Sequence, residues 1–313
     1  MSSGSEAPFA DFATVWRPRI EEALEQLLPA ADEPPARLHE AMRYALFPGG
    51  KRLRPLLVLV GCRAVDGDLE QLLRAAAAVE CLHTYSLVHD DLPCMDDDAL
   101  RRGRPSCHTV YGEALALLAG DALLTLAFEG VSEAGAEAVG QLAVATGSRG
   151  MVGGQTADLA AEGGGASHTL DEVQWIHDRK TGALITASLL IGVLGGARAR
   201  GPLPAAVLEG FRSYGDLVGR AFQIADDCLD LTGSAEELGK TPQSDLERDK
   251  LTWPALVGLE ASQAKASDLA EEAVAGAQEV VSAVADWAGN GSCLDAAVPL
   301  LQDVARAAVN RRN

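Results

Sequence analysis

Aromatic and basic residues are both scarce in this chain, and each shortage excludes a class of function. Only 4% of the 313 residues are Phe, Trp or Tyr, and 26 Lys and Arg face 45 Asp and Glu, which gives a formal net charge of −19. A surface this acidic repels nucleic acids and anionic lipids. We therefore expect no nucleic-acid partner and no stable membrane association.

Cysteine pairs, leader features and long apolar runs are also lacking. The six cysteines include no Cys-x-x-Cys pair, which predicts reduced, mostly buried thiols in a cytoplasmic protein. The N-terminal residues show no basic segment followed by an apolar run, so no secretory signal is predicted. No uninterrupted apolar stretch reaches about 18 residues, so no membrane span is predicted.

Strand-like alternation is lacking too, whereas helical spacing covers most of the chain. The abundant Ala, Leu and Glu favour helices, and breakers such as Pro48-Gly49-Gly50 separate the helical segments. We predict a disordered N-terminus over residues 1–10 and one all-α domain over 11–313, with roughly ten or more helices. The predicted helices include residues 11–28, 35–46, 53–65, 68–92, 136–161, 170–195, 204–232, 253–286 and 292–311.

Two clusters of aspartates stand out on otherwise apolar helices. The first consists of Asp90, Asp91, Asp96, Asp97 and Asp98, and the second of Asp226, Asp227 and Asp230. Two carboxylates about 4 Å apart repel each other by roughly 4 kcal/mol at an effective dielectric constant near 20. Such clusters therefore need full solvation or bound cations, and carboxylates suit Mg²⁺, which often bridges protein acids and substrate phosphates.

The spacing within the clusters decides which acids could act together. Asp226 and Asp230 are one helical turn apart and share a face. Asp90 and Asp96 would point about 120° apart on an ideal helix, but Pro93 disfavours helical geometry before it and would let Asp96 turn back towards Asp90. A solvated acidic loop stays open as the alternative for the first cluster, and a solvated helix face for the second.

Basic residues are concentrated near the first cluster and at one loop upstream of it. Three arginines follow the cluster, and three cations occupy a loop-to-helix junction. These residues are Arg101, Arg102 and Arg104, and Lys51, Arg52 and Arg54. Arginine offers forked donors to phosphate oxygens, and a helix N-terminus adds backbone donors. The pattern predicts a polyphosphate ligand, with a solvated basic turn as the alternative.

Seven stretches of this sequence resemble, in order, the trans-prenyl diphosphate synthases, the family that includes farnesyl and geranylgeranyl diphosphate synthases. They are GGKRLRP (49–55), ECLHTYSLVHDDLPCMDDDALRRGRPSCH (80–108), GDALLTLAFE (120–129), GGQTADL (153–159), KTGALI (180–185), FQIADDCLD (222–230) and ELGKTP (237–242). The resemblance implies the isoprenoid synthase fold, with helices around a central cavity, and a homodimer. It also implies that the two acid clusters face each other across that cavity.

The resemblance further implies a role for each matching residue. Asp90, Asp96 and Asp226 would ligate Mg²⁺, with three ions per site and Mn²⁺ as a substitute, and Asp91, Asp227 and Asp230 would complete the motifs. Isopentenyl diphosphate would contact Lys51, Arg54, His83 and Arg102. The allylic diphosphate would contact Arg101, Lys180, Lys240 and Lys250. Thr181 and Gln223 would lie near the developing carbocation. One departure is Gln243-Ser244-Asp245, where many members carry Gly-Lys-Asp.

The implied reaction joins isopentenyl diphosphate to dimethylallyl or geranyl diphosphate, head to tail. Tyr85 precedes Asp90 by five residues, about 7 Å deeper along a helix, with Ser86 beside it. An aromatic residue there, with the insertion around Pro93-Cys94, resembles bacterial farnesyl-type enzymes, so we expect a C15 product. A C20 product is the alternative, and so is a Tyr85 that belongs to the core while Phe128 sets the cavity depth.

Three other activities stay open. A class I terpene cyclase would carry an Asn/Ser/Glu-type second motif, and a non-catalytic partner subunit would lose one acid cluster. A magnesium-dependent hydrolase would release diphosphate without a longer product. His89 is expected in the core or behind the site. Gln155 and Asp158 are expected either to support the metal side or to pack between helices.

Overall fold

The computed structural model describes residues 8–162, 168–232, 251–289 and 296–310, and most of these residues are helical. The helices are α1 (Pro8–Leu27), α2 (Ala36–Leu46), α3 (Leu53–Ala64), α4 (Leu73–Asp90), α5 (Cys107–Tyr111), α6 (Glu113–Val131), α7 (Ala136–Thr146), α8 (Met151–Ala161), α9 (Leu170–His177), α10 (Ala183–Ala197), α11 (Ala205–Thr232), α12 (Trp253–Val257), α13 (Leu259–Ala288) and α14 (Ala297–Val309). Short 3₁₀ turns occupy Glu70–Leu72 and Ser132–Ala134. The predicted all-α fold is confirmed.

The helices bury two apolar cores, and α3 lies between them. One core joins α1, α2, α4 and α6, and the other joins α10, α11, α13 and α14. Val58 and Leu59 of α3 contribute to the first core, whereas Leu57 and Val60 contribute to the second. A helix that is apolar on all sides must be buried on all sides, which explains the central position of α3.

Glycines let α3 and α10 approach until their backbones touch. A Cβ atom at Gly61 would lie 2.2 Å from the carbonyl oxygen of Leu189, and one at Gly192 would lie 1.8 Å from that of Val58. No side chain fits at either position. The separation of the two helices is therefore set by direct backbone contact, and it is rigid because neither helix can slide without a clash.

Several helix boundaries differ from the predicted ones for local reasons. The helix predicted over 68–92 begins at Leu73, because Asp68 accepts a hydrogen bond from the Glu70 amide (3.0 Å) and caps the 3₁₀ turn instead. The segment 136–161 breaks at Gly147 and Gly150, and 253–286 breaks at Gly258, whose φ is +84°.

Two further predictions were wrong in part. Residues 8–10, expected in a disordered N-terminus over 1–10, belong to α1, whose Phe9 amide donates to Asp303 of α14 at 2.8 Å. Strands were not expected, but β1 (Leu100–Arg101) pairs antiparallel with β2 (Arg104–Pro105). The intervening Arg102-Gly103 turn has φ values of +52° and +73°, the geometry that two-residue hairpins require.

Within the residues that the structure describes, two helical stretches reach the length and apolarity of a membrane span. They are Leu170–Ala197, 72% buried within the protein, and Glu113–Ala134, 39% buried. A buried core helix meets the same criteria, so the first needs no membrane to explain it. The second, which contains α6, keeps a large apolar face exposed.

The contact between α3 and α10 makes a stability prediction. Gly192→Ala should lower the free energy of unfolding by about 2 kcal/mol or more, because overpacking forces the helices apart. The control is Gly140→Ala on α7, where a new Cβ meets nothing within 4 Å; this variant should gain up to about 1 kcal/mol from helix propensity. Denaturant titration measures both. Equal stability of the Gly192→Ala protein and wild type would contradict the close contact.

Candidate active site

The first acid cluster forms a tight turn at the end of α4. The helix ends at Asp90, and the chain then folds back so that the Asp96 amide donates to the Asp90 carbonyl oxygen at 2.8 Å. The Asp97 amide donates likewise to Leu92 at 3.1 Å. The expectation that Pro93 ends the helix and brings Asp96 back towards Asp90 is confirmed.

Asp91 and Arg101, expected at the metal and at the allylic diphosphate, contact each other. Asp91 is buried, and Arg101 donates to it through Nε (3.0 Å to Oδ1) and through Nη2. Arg101 also reaches Asp98 at 3.3 Å. Burial raises the pKa of Asp91 despite the guanidinium. The pair fastens the β1–β2 hairpin to the end of α4 and places Arg101 beside the cluster.

The second cluster lies near the end of α11, and Asp227 connects it to α12. Asp227 accepts from Gln223 Nε2 and from the Trp253 amide, each at 2.9 Å, and His177 Nε2 lies 3.4 Å from it. Its neighbours Asp226 and Asp230 complete the cluster. Asp227 therefore orients the helix end, a role that its position in the motif did not reveal.

A π-turn (Asp178–Gly182) carries Lys180 and Thr181. Lys180 Nζ lies 2.5 Å from Asp158 of α8. Burial favours the neutral amine, but Asp158, Asp90 and Asp96 together raise the pKa of Lys180 above its ordinary value. Lys180 is thus charged and interacts with the first cluster.

His177, which immediately precedes the π-turn, interacts with the second cluster. Burial lowers its pKa from 6.5 to about 4, against the opposing charges of Asp158 and Asp226. The first cluster therefore acts on Lys180, and the second acts on His177, which lies three residues earlier and 3.4 Å from Asp227. That the two clusters face each other across a cavity stays a prediction.

The arrangement fits magnesium that arrives with a polyphosphate. Among the described residues, no three Asp, Glu, His or Cys side chains form a ready-made metal site. Mg²⁺ commonly binds through one or two carboxylates and substrate phosphates rather than an all-protein cage. The first cluster also begins at the C-terminus of α4, where the helix dipole favours cations and disfavours carboxylates. The carboxylates of the two clusters therefore suit a divalent ion that substrate phosphates also bind.

A second, purely cationic environment surrounds His83 on α4. Burial, followed by Arg54, Arg102 and Arg101, lowers the pKa of His83 well below its ordinary value, so the imidazole is neutral. Arg102 packs against Gly50, where a Cβ would lie 2.6 Å from Nη1. Lys51 flanks the same junction. Arg54 and Arg102, two of the residues expected to hold isopentenyl diphosphate, therefore lie near His83, and the role of this set stays a prediction.

Arg52, the middle cation of that junction, is structural. It is 2% exposed and has a φ of +51°. Its guanidinium bonds to Glu80 (3.0 Å), Glu21 (2.7 Å) and the Leu46 carbonyl oxygen (3.0 Å). Nothing in the order of residues indicated this inward turn. Arg52 fixes the backbone from which Lys51 and Arg54 project.

Tyr85 lies in the apolar core below the first cluster. It is 6% exposed, and its ring meets the His89 ring edge-on with 5.5 Å between centroids. Burial and Asp90 raise the pKa of Tyr85 to about 12. His89 Nε2 contacts the Leu117 carbonyl oxygen of α6 at 3.0 Å, and Ser86 Oγ donates to His83 O at 2.9 Å. Tyr85 as the cavity floor stays a prediction.

The remaining expectations fall on several elements. Gln155 of α8 has buried amide atoms without a hydrogen-bond partner in the described part of the chain, and Phe128 packs against the same core as Tyr85. Cys62, Cys81, Cys107 and Cys228 are buried, as expected, and Cys94 is exposed. Lys240, Lys250, the 243–245 departure and Cys293 lie outside the described residues.

Comparison with known proteins identifies relatives over most of the chain. Residues 35–287 match the polyprenyl synthetase family. The chain is 42% identical over 283 residues to the Arabidopsis thaliana protein named heterodimeric geranylgeranyl pyrophosphate synthase large subunit 1, chloroplastic, covering 87% of this chain and 74% of that protein. It is 47% identical over 245 residues to the chloroplastic geranylgeranyl pyrophosphate synthase of Capsicum annuum, covering 75% and 64%, so it spans less than two thirds of that relative.

Solved structures agree in fold. A Zymomonas mobilis FPP/GFPP synthase without ligand superposes with a TM-score of 0.78 and 36% identity, covering 96% of this chain and all of the other. A Helicobacter pylori geranyltransferase, complexed with magnesium and isoprenyl diphosphate, gives a TM-score of 0.80 and 32% identity, covering 99% and 98%.

The buried neutral His177 makes a pH prediction. Its folded pKa of about 4 lies below 6.5, so between these values the unfolded chain binds a proton that the folded chain excludes. The free energy of unfolding should therefore fall by about 2 kcal/mol through His177 as the pH drops from 7 to 5. Urea titrations of wild type and His177→Gln at both pH values measure this. An identical loss in both proteins would show that His177 titrates freely in the fold.

Proposed function

We propose that this chain, which belongs to the polyprenyl synthetase family, is a prenyltransferase that elongates an allylic diphosphate with isopentenyl diphosphate. The observation that supports the proposal is that Lys180 interacts with the first aspartate cluster while His177, three residues before it, contacts Asp227 of the second, with a separate arginine-rich environment around His83. Two anionic substrates need two such sites: one for a diphosphate that leaves with metal, and one for a diphosphate that is retained.

Different residues of the chain would act on the metal ions, on the departing diphosphate and on the carbocation. Asp90, Asp96 and Asp226 would hold Mg²⁺, which when bound stabilises negative charge on the departing diphosphate. The Lys180 ammonium stabilises the same charge, because it is fixed in place before the bond breaks. Gln223 donates its Nε2 to Asp227, which leaves Oε1, a partial negative charge, for the developing carbocation.

The second substrate is held by charge and shielded by the fold. Arg54 and Arg102, with Lys51, bind the diphosphate of isopentenyl diphosphate, and the neutral His83 donates a hydrogen bond without adding charge. Apolar walls keep water from the cation. The alkene attacks the cation, a proton leaves, and the released diphosphate accepts it, so the reaction needs no protein nucleophile.

We infer that the product is geranylgeranyl diphosphate (C20). The relatives named geranylgeranyl pyrophosphate synthases share 42–47% identity with this chain, which favours C20 over the C15 product expected from Tyr85. Farnesyl diphosphate is the second candidate, because Tyr85, in edge-on contact with His89, is an aromatic residue at the position from which a C15 product was expected.

The competing activities have less support. Both acid clusters are intact, whereas a non-catalytic subunit would lose one, and the second cluster is made of aspartates rather than the Asn/Ser/Glu set of a terpene cyclase. A hydrolase would have no use for the second cationic site around His83. These features favour elongation.

We also propose that the chain forms a homodimer through α6. Leu117 and Leu118 are 46% and 54% exposed, and Val110 of the adjoining α5 is 45% exposed. The two leucines lie in the first two turns of α6, and exposed apolar patches mark interfaces. We propose that a second copy of the chain covers these side chains, as the resemblance implies. A molar mass equal to that of one chain, measured by light scattering, would contradict the homodimer.

The test of the function is elongation of C5, C10 and C15 allylic diphosphates with isopentenyl diphosphate and magnesium, with products separated by chromatography. Wild type should give C20, and Asp90→Ala should lose about 100-fold or more in turnover with its fold intact. Asp97→Asn is the control, because Asp97 is exposed at a φ of +51°, which Asn tolerates. Diphosphate release without a longer prenyl chain would contradict the proposal.

Tyr85→Ala should lengthen the product by at least one C5 unit, because it removes the ring below the first cluster. Phe128→Ala is the matched variant for the other candidate floor and should leave the product length unchanged. The same chromatography measures both. A Tyr85→Ala enzyme with the wild-type product would assign Tyr85 to the core alone.

A further inference from the structure

The π-turn (Asp178–Gly182) interrupts the run from α9 to α10 at the residues that hold the allylic diphosphate in the proposed function. A π-turn inserts an extra residue into a helix, and such turns occur frequently at functional sites. Its geometry is less favourable than a continuous helix, so contacts from outside the turn must stabilise it. Those contacts determine where Lys180 and Thr181 point.

The strongest contact to α11 is a forked ion pair between Asp178 and Arg220. Arg220 Nε donates to Asp178 Oδ1 at 2.7 Å, and Nη2 donates to Oδ2 at 2.9 Å. Two parallel bonds fix an angle as well as a distance. The hydrogen bond to Asp178 raises the pKa of Arg220. The side chains are 34% and 27% exposed, so the pair is partly open to solvent.

Backbone contacts extend the same junction. A Cβ at Gly219, next to Arg220, would lie 2.9 Å from the Gly182 Cα atom, so α11 touches the end of the π-turn directly. On the opposite side, Lys180 is bound to Asp158 of α8. The turn is therefore fixed at its start by Arg220, at its centre by Asp158 and at its end by Gly219.

The pair also joins two parts of the proposed active site. Asp178 lies two residues before the KTGALI stretch, and Arg220 lies two residues before the FQIADDCLD stretch. Arg220 precedes Asp226 by six residues on the same helix. A change in the two-bond ion pair between Asp178 and Arg220 would therefore move Lys180 relative to the second acid cluster.

We propose that Asp178 and Arg220 are a positioning pair that sets the distance between Lys180 and Asp226. The proposal rests on the proposed function, since Lys180 and Asp226 act there on one diphosphate. Neither residue touches substrate. Their effect appears on the allylic diphosphate and not on isopentenyl diphosphate, whose site is built from α3, α4 and the β1–β2 hairpin.

The test uses Arg220→Lys, which keeps the charge and loses the fork, and Asp178→Asn, which keeps the shape and loses the charge. Each should raise the KM for the allylic diphosphate and lower kcat by about tenfold, with the KM for isopentenyl diphosphate within about twofold. The double variant should be no worse than the poorer single variant, because the two residues share one interaction.

The matched control is Arg179→Met. Arg179 lies in the same turn, but its guanidinium stacks on the Trp175 ring at 3.9 Å and donates to the Trp175 carbonyl oxygen at 3.2 Å. Its kinetic constants should stay within about twofold of wild type. If Arg220→Lys and Asp178→Asn show the same kinetic constants as Arg179→Met, the proposal is overturned. Equal increases in both KM values with a lower melting temperature would also overturn it, since they indicate a general loss of structure.

A readout independent of turnover separates this proposal from the proposed function. Amide hydrogen exchange over residues 178–182 should be faster in Arg220→Lys than in wild type or Arg179→Met. If wild type fails to elongate any allylic diphosphate, the proposed function fails, whereas the exchange result still tests whether the fork holds the turn. Unchanged exchange would refute the positioning role.

Discussion

The repulsion between carboxylates clustered on two helices is the constraint on which the site depends. Asp90 is the last residue of α4, where the helix dipole adds to the repulsion, and Asp226 lies on α11. The fold offsets part of it with fixed donors to the acids nearby. Arg101 binds Asp91, Lys180 binds Asp158, and the Trp253 amide binds Asp227. The remaining repulsion favours cations that arrive with substrate.

The precision of the site comes from backbone contact as much as from charge. Gly154 of α8 lies against the Lys180 backbone, where a Cβ would be 2.4 Å from the amide nitrogen, and Gly219 lies against Gly182. Helices in direct backbone contact have little freedom to shift. The π-turn is therefore confined between α8 and α11, and catalysis by preorganised charge requires such confinement.

Local charge also resolves an apparent conflict between the protein and its proposed substrates. A chain with a net charge of −19 repels diphosphates at long range. Arg54, Arg101 and Arg102 converge around the neutral His83 and reverse the sign of the potential there. A positive site within an acidic surface selects where an anion binds, because the field decays within about 8–10 Å at moderate ionic strength.

The sequence by itself determined the helical fold, the two acid clusters, the turn at Pro93 and the family, since these follow from propensity, composition and the order of motifs. It did not reveal the β1–β2 hairpin, the inward turn of Arg52, the contact of His177 with Asp227 or the π-turn at 178–182. The last three depend on partners far away in the chain: Arg52 on Glu80, His177 on Asp227 and Asp178 on Arg220. Apolar periodicity reports which face of a helix is buried, but only the tertiary structure decides which residues meet there.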